Sequence, residues 1–167
     1  EVDVTSLPLP VCSITGDNII CVGESTSFTA TGGTSYSWTG PGGFTANTAT
    51  ISNLTVAGKY EVTVTNANGC SSKCDRTLTV NPLPICNITG NNVICAGGST
   101  SFTASGGTSY SWTGPGGFTA STATISNLTV AGKYEVTVTD ANKCSSKCDR
   151  TLTVNPLPIC NITGKNV

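Results

Sequence analysis

Cys12, Cys21, Trp38, Cys70 and Cys74 recur as Cys86, Cys95, Trp112, Cys144 and Cys148, each 74 residues further on. When 12–85 is set against 86–159, 65 of the 74 positions are identical. Self-similarity of this kind overrides any domain count taken from length, because each repeat must be one structural unit followed by another of its kind. The string Asn-Pro-Leu-Pro-Ile-Cys-Asn-Ile-Thr-Gly stands at 81–90 and again at 155–164, with an edited form, Leu-Pro-Leu-Pro-Val-Cys-Ser-Ile-Thr-Gly, at 7–16. It closes one run of alternating Thr and apolar residues and opens the next, so it reads as a joint. The expected organisation is the end of a preceding repeat with its joint at 1–11, module 1 at 12–80, a proline joint at 81–85, module 2 at 86–154, a second joint at 155–159 and the start of module 3 at 160–167. Copies this alike point to a longer array.

The chain contains 29 Thr with Val and Ile set among them at period two, and no stretch places apolar residues at helical spacing. The prediction is all-β. In module 1, Ile14 and the pair Ile19 and Ile20 flank a turn signal at 15–18. Alternation around Phe28 and Ala30 predicts a strand over 25–31, ended by Gly32 and Gly33, and 35–39 puts Tyr36 and Trp38 on one face. Gly40-Pro41-Gly42-Gly43 forces a turn. Short strands follow at 44–46 and 48–54. The most periodic segment, 59–65, turns Tyr60, Val62 and Val64 inward and Glu61, Thr63 and Thr65 to water, and after a hairpin turn at 66–69 the return strand carries Cys70, Cys74, Leu78 and Val80. About seven short strands at this rhythm describe a small immunoglobulin-like sandwich, with a barrel as the alternative. Trp38 and Trp112 fall on the third strand, where such folds bury an indole. Tyr60 and Tyr134 open the sixth, where a tyrosine corner would lie, so all four are read as core aromatics.

Charged residues make up 10% of the chain and the net charge is −1, which offers no electrostatic pull on nucleic acid or an anionic membrane. No apolar run approaches the ~18 residues that a spanning helix needs. Glu1-Val2-Asp3 is acidic and leads into no apolar core, so it reads as mature chain rather than signal peptide.

Nine cysteines with no histidine are a disulfide composition and place the protein in an oxidising compartment. Four thiols per module could in principle build a zinc site, but structural zinc favours tight Cys-x2-4-Cys knuckles at both ends and Cys12-x8-Cys21 is not one. A module of 74 residues has a marginal core, which gives covalent staples a purpose. On one regular strand Cys70 and Cys74 would lie about 13 Å apart at ~3.3 Å per residue, beyond bonding reach of each other. With the first strand expected beside the last and parallel to it, the favoured pairs are Cys12 with Cys70 and Cys21 with Cys74, repeated as Cys86 with Cys144 and Cys95 with Cys148. Cys160 then finds its mate beyond residue 167. Pairing across the joint stays open, with Cys160 reaching back to Cys144 or Cys148, and would chain successive modules covalently.

The joint has mechanical content of its own. Pro82 and Pro84, like Pro156 and Pro158, fix φ and hold their predecessors extended, so 81–85 should be a stiff strut. Leu83, apolar between two prolines, is expected to pack into the seam, and Leu157 holds the same place in the second joint. Each module should add roughly 30 to 40 Å of length, with strands of about eight residues.

Without histidine there is no Ser-His-Asp or Cys-His arrangement. The acids are scattered, and Asp17 and Glu24 of module 1 become Asn91 and Gly98 in module 2, so no positioned acid pair is maintained. No Asp-rich calcium loop and no phosphate-binding loop is present. Catalytic, cofactor-binding and metal-binding residues are therefore assigned to none, and no enzyme activity is expected.

The segments ICVGESTSFTATGGTSYSW, NLTVAGKYEVTVTNANGC and CSSKCDRTLTVNPLP resemble the PKD-like and Ig-like repeats of giant cell-surface adhesins of Bacteroidota, the gliding-motility adhesins among them. The resemblance covers both full modules and is most specific in the Ala-Gly-x-Tyr-x-Val-Thr-Val-Thr-x-Ala-Asn-x-Cys block at 57–70 and 131–144. It implies a secreted, cell-surface array of β-sandwiches, exported by the type IX system, and it carries over no catalytic residue. Cys12 and Cys74 are a departure from the simplest two-cysteine repeat. The expected function is structural: an extracellular stalk or filament whose partners are its own neighbouring repeats and laterally associated copies, with any glycan or surface ligand bound elsewhere in the protein. The alternative is a carbohydrate-binding accessory array in which Tyr36, Trp38 and Phe44 present ring faces to glycan.

Overall fold

The structure, a computed structural model, describes residues 6–164. The mature-chain reading of Glu1 to Asp3, and the outer ends of the 1–11 and 160–167 segments, lie outside those residues. The chain forms two compact units that divide between Pro82 and Leu83.

In the first unit the alternating Thr-rich segments become β1 (Ser13–Thr15), β2 (Ile19–Cys21), β3 (Thr26–Thr31), β4 (Ser35–Thr39), β5 (Thr45–Ala46), β6 (Thr50–Leu54), β7 (Gly58–Thr65) and β8 (Ser71–Asn81). One sheet has the order β1-β3-β6 and the other β2-β8-β7-β4-β5. Every pairing is antiparallel except β2 with β8, which is parallel. The first stretch of the module thus changes sheets. Its two halves are separated by the predicted turn at 15–18, so β1 edges one sheet and β2 the other, and the two sheets close as an immunoglobulin-like sandwich.

Period-two burial fills the space between the sheets. Phe28, Trp38, Val62 and Val64 are fully enclosed and Tyr60 and Leu78 nearly so, each contributing about 1.5–3 kcal/mol of apolar burial. The Trp38 indole satisfies its one donor by a 2.9 Å hydrogen bond to the Thr48 carbonyl. Tyr60 is met edge-on by Phe28 and by Phe44, with ring centroids 5.6 Å apart in both cases. Its hydroxyl donates to the Val56 carbonyl at 3.0 Å, which is the tyrosine corner that Val56-Ala57-Gly58-x-Tyr60 predicts. Burial pushes this phenol above its ordinary pKa.

The second unit repeats the arrangement with β9 (Asn87–Thr89), β10 (Val93–Cys95), β11 (Thr100–Ser105), β12 (Ser109–Gly114), β13 (Phe118–Ala120), β14 (Thr124–Leu128), β15 (Gly132–Thr139) and β16 (Ser145–Asn155). Its sheets are β14-β11-β9 and β10-β16-β15-β12-β13. Trp112 bonds Thr122 and Tyr134 bonds Val130, as their counterparts do.

Candidate functional site

The residues with most to say about function lie along the first and last strands and at the two ends of each module. In module 1 the leading segment runs beside β8 at one constant offset of 62. Ser72 donates its hydroxyl to the Pro10 carbonyl at 2.6 Å, Cys12 is bonded to Cys74, and Arg76 donates to the Ile14 carbonyl at 3.4 Å. Module 2 repeats all three rungs with Ser146 on Pro84, Cys86–Cys148 and Arg150 on Ile88. Cys12–Cys74 and Cys86–Cys148 therefore tie the first strand's sheet to the last strand's sheet through the core.

This corrects the expected pairs, Cys12 with Cys70 and Cys21 with Cys74. The leading chain meets β8 at offsets of 62 around Cys12 and 60 around Cys21, whereas those two pairs require 58 and 53. Cys74 sits opposite Val62 in the β7–β8 register and shares its inward face, whereas Cys70 precedes β8. Cys21 pairs in register with Asn81, seven residues past Cys74. That leaves about 23 Å of strand between Cys21 and the thiol it was expected to reach, at ~3.3 Å per residue. Reaching from Cys160 back to Cys148 is likewise closed, because Cys148 is taken by Cys86.

The joint is partly built into the module that follows it. The Pro84 carbonyl is held by Ser146, and the next carbonyl, that of Ile85, lies 1.9 Å from where a Cβ would stand on Gly106, which adopts φ +108°. Only glycine gives that approach and that backbone conformation together. On the other side, β8 is paired through Asn81, whose carbonyl accepts the Val22 N–H at 2.9 Å. Pro82 and Leu83 are what remains between a residue held by module 1 and a residue held by module 2. The expectation that Leu83 packs away is not met, since it is 43% exposed. An extended strut with both neighbouring prolines fixed turns the intervening side chain outward.

The remaining cysteines mark the module ends. Cys70 closes the 66–70 loop, its N–H donating to Asn66 Oδ1 at 3.0 Å while the Asn66 amide donates to the Pro8 carbonyl at 3.1 Å. This is the head, where the preceding joint arrives. Cys21, and Cys95 in module 2, stand in register with the last strand residue, Asn81 or Asn155, at the tail where the chain leaves. Cys21 and Cys144 are disulfide-bonded; Cys70, Cys95 and Cys160 are free thiols.

Elsewhere the surface is polar and repetitive. On the outer face of β7 and β8, Lys59 contacts Asp75 at 3.1 Å and Glu61 at 3.7 Å, and Lys73 contacts Glu61 at 3.0 Å. Lys133, Glu135, Lys147 and Asp149 repeat the ladder. Hydrogen bonding and charge from Asp75 raise the Lys59 pKa, and those from Lys73 lower that of Glu61. Two shallow polar grooves repeat between the modules, one lined by Asp17, Thr26, Ser52 and Asn53 and its counterpart by Thr100, Ser126 and Asn127. Among the described residues, no group of three or more His, Cys, Asp or Glu side chains comes together to hold a metal, and no helix is long and apolar enough to cross a membrane. Of the three aromatics considered for glycan, Trp38 is enclosed, Tyr36 is half-buried with its hydroxyl on the Gly33 carbonyl, and Phe44 is half-buried against Tyr60.

Taken together, the repeated two-sheet cores, inter-sheet disulfides and short proline joints define a tandem array of immunoglobulin-like β-sandwich modules. The chain belongs to the PKD-like domain family, whose sequence profile matches residues 7–80 and 81–154. Those bounds assign each joint to the module that follows it, the one whose serine holds its proline carbonyl. Among solved structures the chain is similar to the three N-terminal domains of the highly immunogenic outer capsid protein of bacteriophage RB49 (21% identity, TM-score 0.50, covering 87% of this chain and 59% of that one). It is similar also to a Ca2+-stabilised adhesin that helps an Antarctic bacterium reach out and bind ice (20% identity, TM-score 0.53, 89% and 50% covered). A third likeness is to the I67–I69 fragment of the titin I-band (18% identity, TM-score 0.51, 90% and 67% covered). The chain thus spans between half and two thirds of these structures' lengths, and what it shares with them is the fold. No curated protein gives a significant match.

Proposed function

We propose that the chain is a segment of an extracellular structural array, the stiff stalk or filament of a cell-surface adhesin of the Bacteroidota gliding-motility kind. Its work is to set distance rather than to catalyse. The observation that carries this reading is the length of the connector: Pro82 and Leu83 separate Asn81, strand-paired in module 1, from Pro84, hydrogen-bonded in module 2. Two residues, one of them proline and the other preceding a proline, have little conformational freedom. The 65 identities in 74 positions support it too, since repetition adds length without diversifying a binding surface. Inter-sheet disulfides suit an oxidising exterior. Electron microscopy of the native material tests the proposal. Beaded fibres with a spacing of roughly 30–40 Å per module are expected, and isolated globular particles would overturn it.

A further inference from the structure

The cysteines outside the inter-sheet staples occupy two positions per module, one at the head (Cys70, Cys144) and one at the tail (Cys21, Cys95). Cys21, a tail cysteine, and Cys144, a head cysteine, are disulfide-bonded, and the inter-sheet bridges already take Cys12, Cys74, Cys86 and Cys148. The mate of neither lies in its own module. Cys21 stands in register with the last residue of an 11-residue strand, and the head cysteine of that module precedes the first. The span is about 36 Å at ~3.3 Å per residue, several times a disulfide's reach. Cys95 and Cys144 are separated along β16 in the same way.

The register of each module carries its two end cysteines toward the joints. At the tail, the parallel pairing of β2 with β8 sets Cys21 beside Asn81. At the head, the rungs run at an offset of 62, with Ser72 on the Pro10 carbonyl and Ser146 on that of Pro84. Two residues back along both chains, that offset matches Cys70 with Pro8, whose carbonyl accepts from Asn66 of the loop that Cys70 closes. It matches Cys144 with Pro82. Asn81 and Pro82 are consecutive residues, so the chain that leaves a module beside its tail cysteine enters the next beside that module's head cysteine. Two cysteines flanking consecutive residues on one side of an extended chain stand about 4–7 Å apart between Cα atoms, the separation that a disulfide takes.

We infer that Cys21 and Cys144 are bonded to each other, the tail cysteine of one module joined to the head cysteine of the module that follows. Carried along further repeats, the same rule gives Cys95 to the head cysteine of the next module and Cys70 to the tail cysteine of the one before. Each joint is then crossed twice, once by main chain and once by sulfur, and bending at Pro82 and Leu83 is restricted for as long as the bridge is oxidised. The bond itself stands on the register, and its role as a brace rests on the stalk reading. It forms by exchange with a small-molecule disulfide such as oxidised glutathione. The Cys21 thiolate attacks it and releases one glutathione thiolate, and the Cys144 thiolate then attacks the Cys21 sulfur of the mixed disulfide and releases the second. Two cysteine thiols lose two electrons, one glutathione disulfide becomes two thiols, and the cysteine protons pass to the leaving thiolates.

The test uses the whole chain, folded in a glutathione redox buffer as a mixture of 14N- and 15N-labelled protein. Trypsin together with an endoprotease that cuts before aspartate puts Cys12, Cys21, Cys70 and Cys144 on separate peptides. Non-reducing peptide mapping should join the Cys21 peptide to the Cys144 peptide with unmixed labels, and in Cys21→Ser the Cys144 peptide should carry iodoacetamide or glutathione instead. A Cys21 peptide joined to any other cysteine, or a link with mixed labels, would overturn the inference. Beaded fibres in native material whose Cys21 and Cys144 are not joined would leave the stalk reading standing and remove only the brace. The joined pair in protein whose native form is globular would do the reverse.

Discussion

Removing one inter-sheet disulfide should unfold one module and leave its near-twin intact. Cys12–Cys74 closes a loop of sequence separation 62, and the chain-entropy model gives such a loop about 4 kcal/mol of stabilisation at 25 °C, through restriction of the unfolded chain. A domain of this size has only about 4–10 kcal/mol in total, so the double substitution Cys12→Ala/Cys74→Ala should consume much of module 1's margin. At roughly 4–8 °C per kcal/mol, its melting transition should fall by about 15–30 °C. Module 2 retains Cys86–Cys148 at the same separation of 62 and serves as an internal standard. Scanning calorimetry of the full chain should therefore resolve two transitions in the variant, the upper one unmoved. If module 1 still melts within about 5 °C of module 2, the shift that only about 1 kcal/mol would produce, the bridge does not act by constraining the unfolded chain and the reasoning fails.

Tyr60→Phe keeps the ring and removes the bond to Val56; a loss of about 1–1.5 kcal/mol is expected in denaturant unfolding of module 1, and an unchanged midpoint would show that the corner contributes nothing. Gly106→Ala places a Cβ against the Ile85 carbonyl at φ +108°, which should cost more than ~2 kcal/mol and speed proteolytic cleavage within 82–85; equal cleavage rates in parent and variant would refute the anchoring of the joint. The charge ladder predicts two pH limbs. The stabilisation from Glu61, whose pKa is lowered by Lys73, is present above its unfolded pKa and disappears as pH falls through the folded one, while that from Lys59, raised by Asp75, is present below its unfolded pKa and disappears as pH rises through the folded one. Stability should therefore be flat across neutral pH, decline at both extremes and do so less in high salt, with Glu61→Gln flattening the acid limb; an acid limb unaltered in that variant would place its origin elsewhere.

The strands were legible because alternation is a local property. Tyr60, Val62 and Val64 announce an inward face without reference to anything distant, and so does the tyrosine corner, whose donor and acceptor lie four residues apart. The disulfides were not legible, because their pairing depends on register between the two ends of a module. The turn at 15–18 was visible, but its consequence was not. It moves the leading chain from one sheet to the other and changes the offset against β8 from 62 at Cys12 to 60 at Cys21. Leu83 misled for a similar reason, as apolar character says that a side chain gains by burial, not that a wall stands within reach.

The staples also set how far such an array can stretch. Tension entering module 1 at Cys12 and leaving along β8 crosses to Cys74 through the sulfur bridge, so the 61 residues between them cannot be drawn out. Residues 75–85, between Cys74 and Cys86, are the stretch of main chain that joins one inter-sheet bridge to the next. At about 3.3–3.6 Å per residue a fully pulled repeat can pay out roughly 40 Å of chain, against about 250 Å for the same repeat reduced. In an oxidising medium the array would be a nearly inextensible cord, and a reductant would turn it into a compliant one.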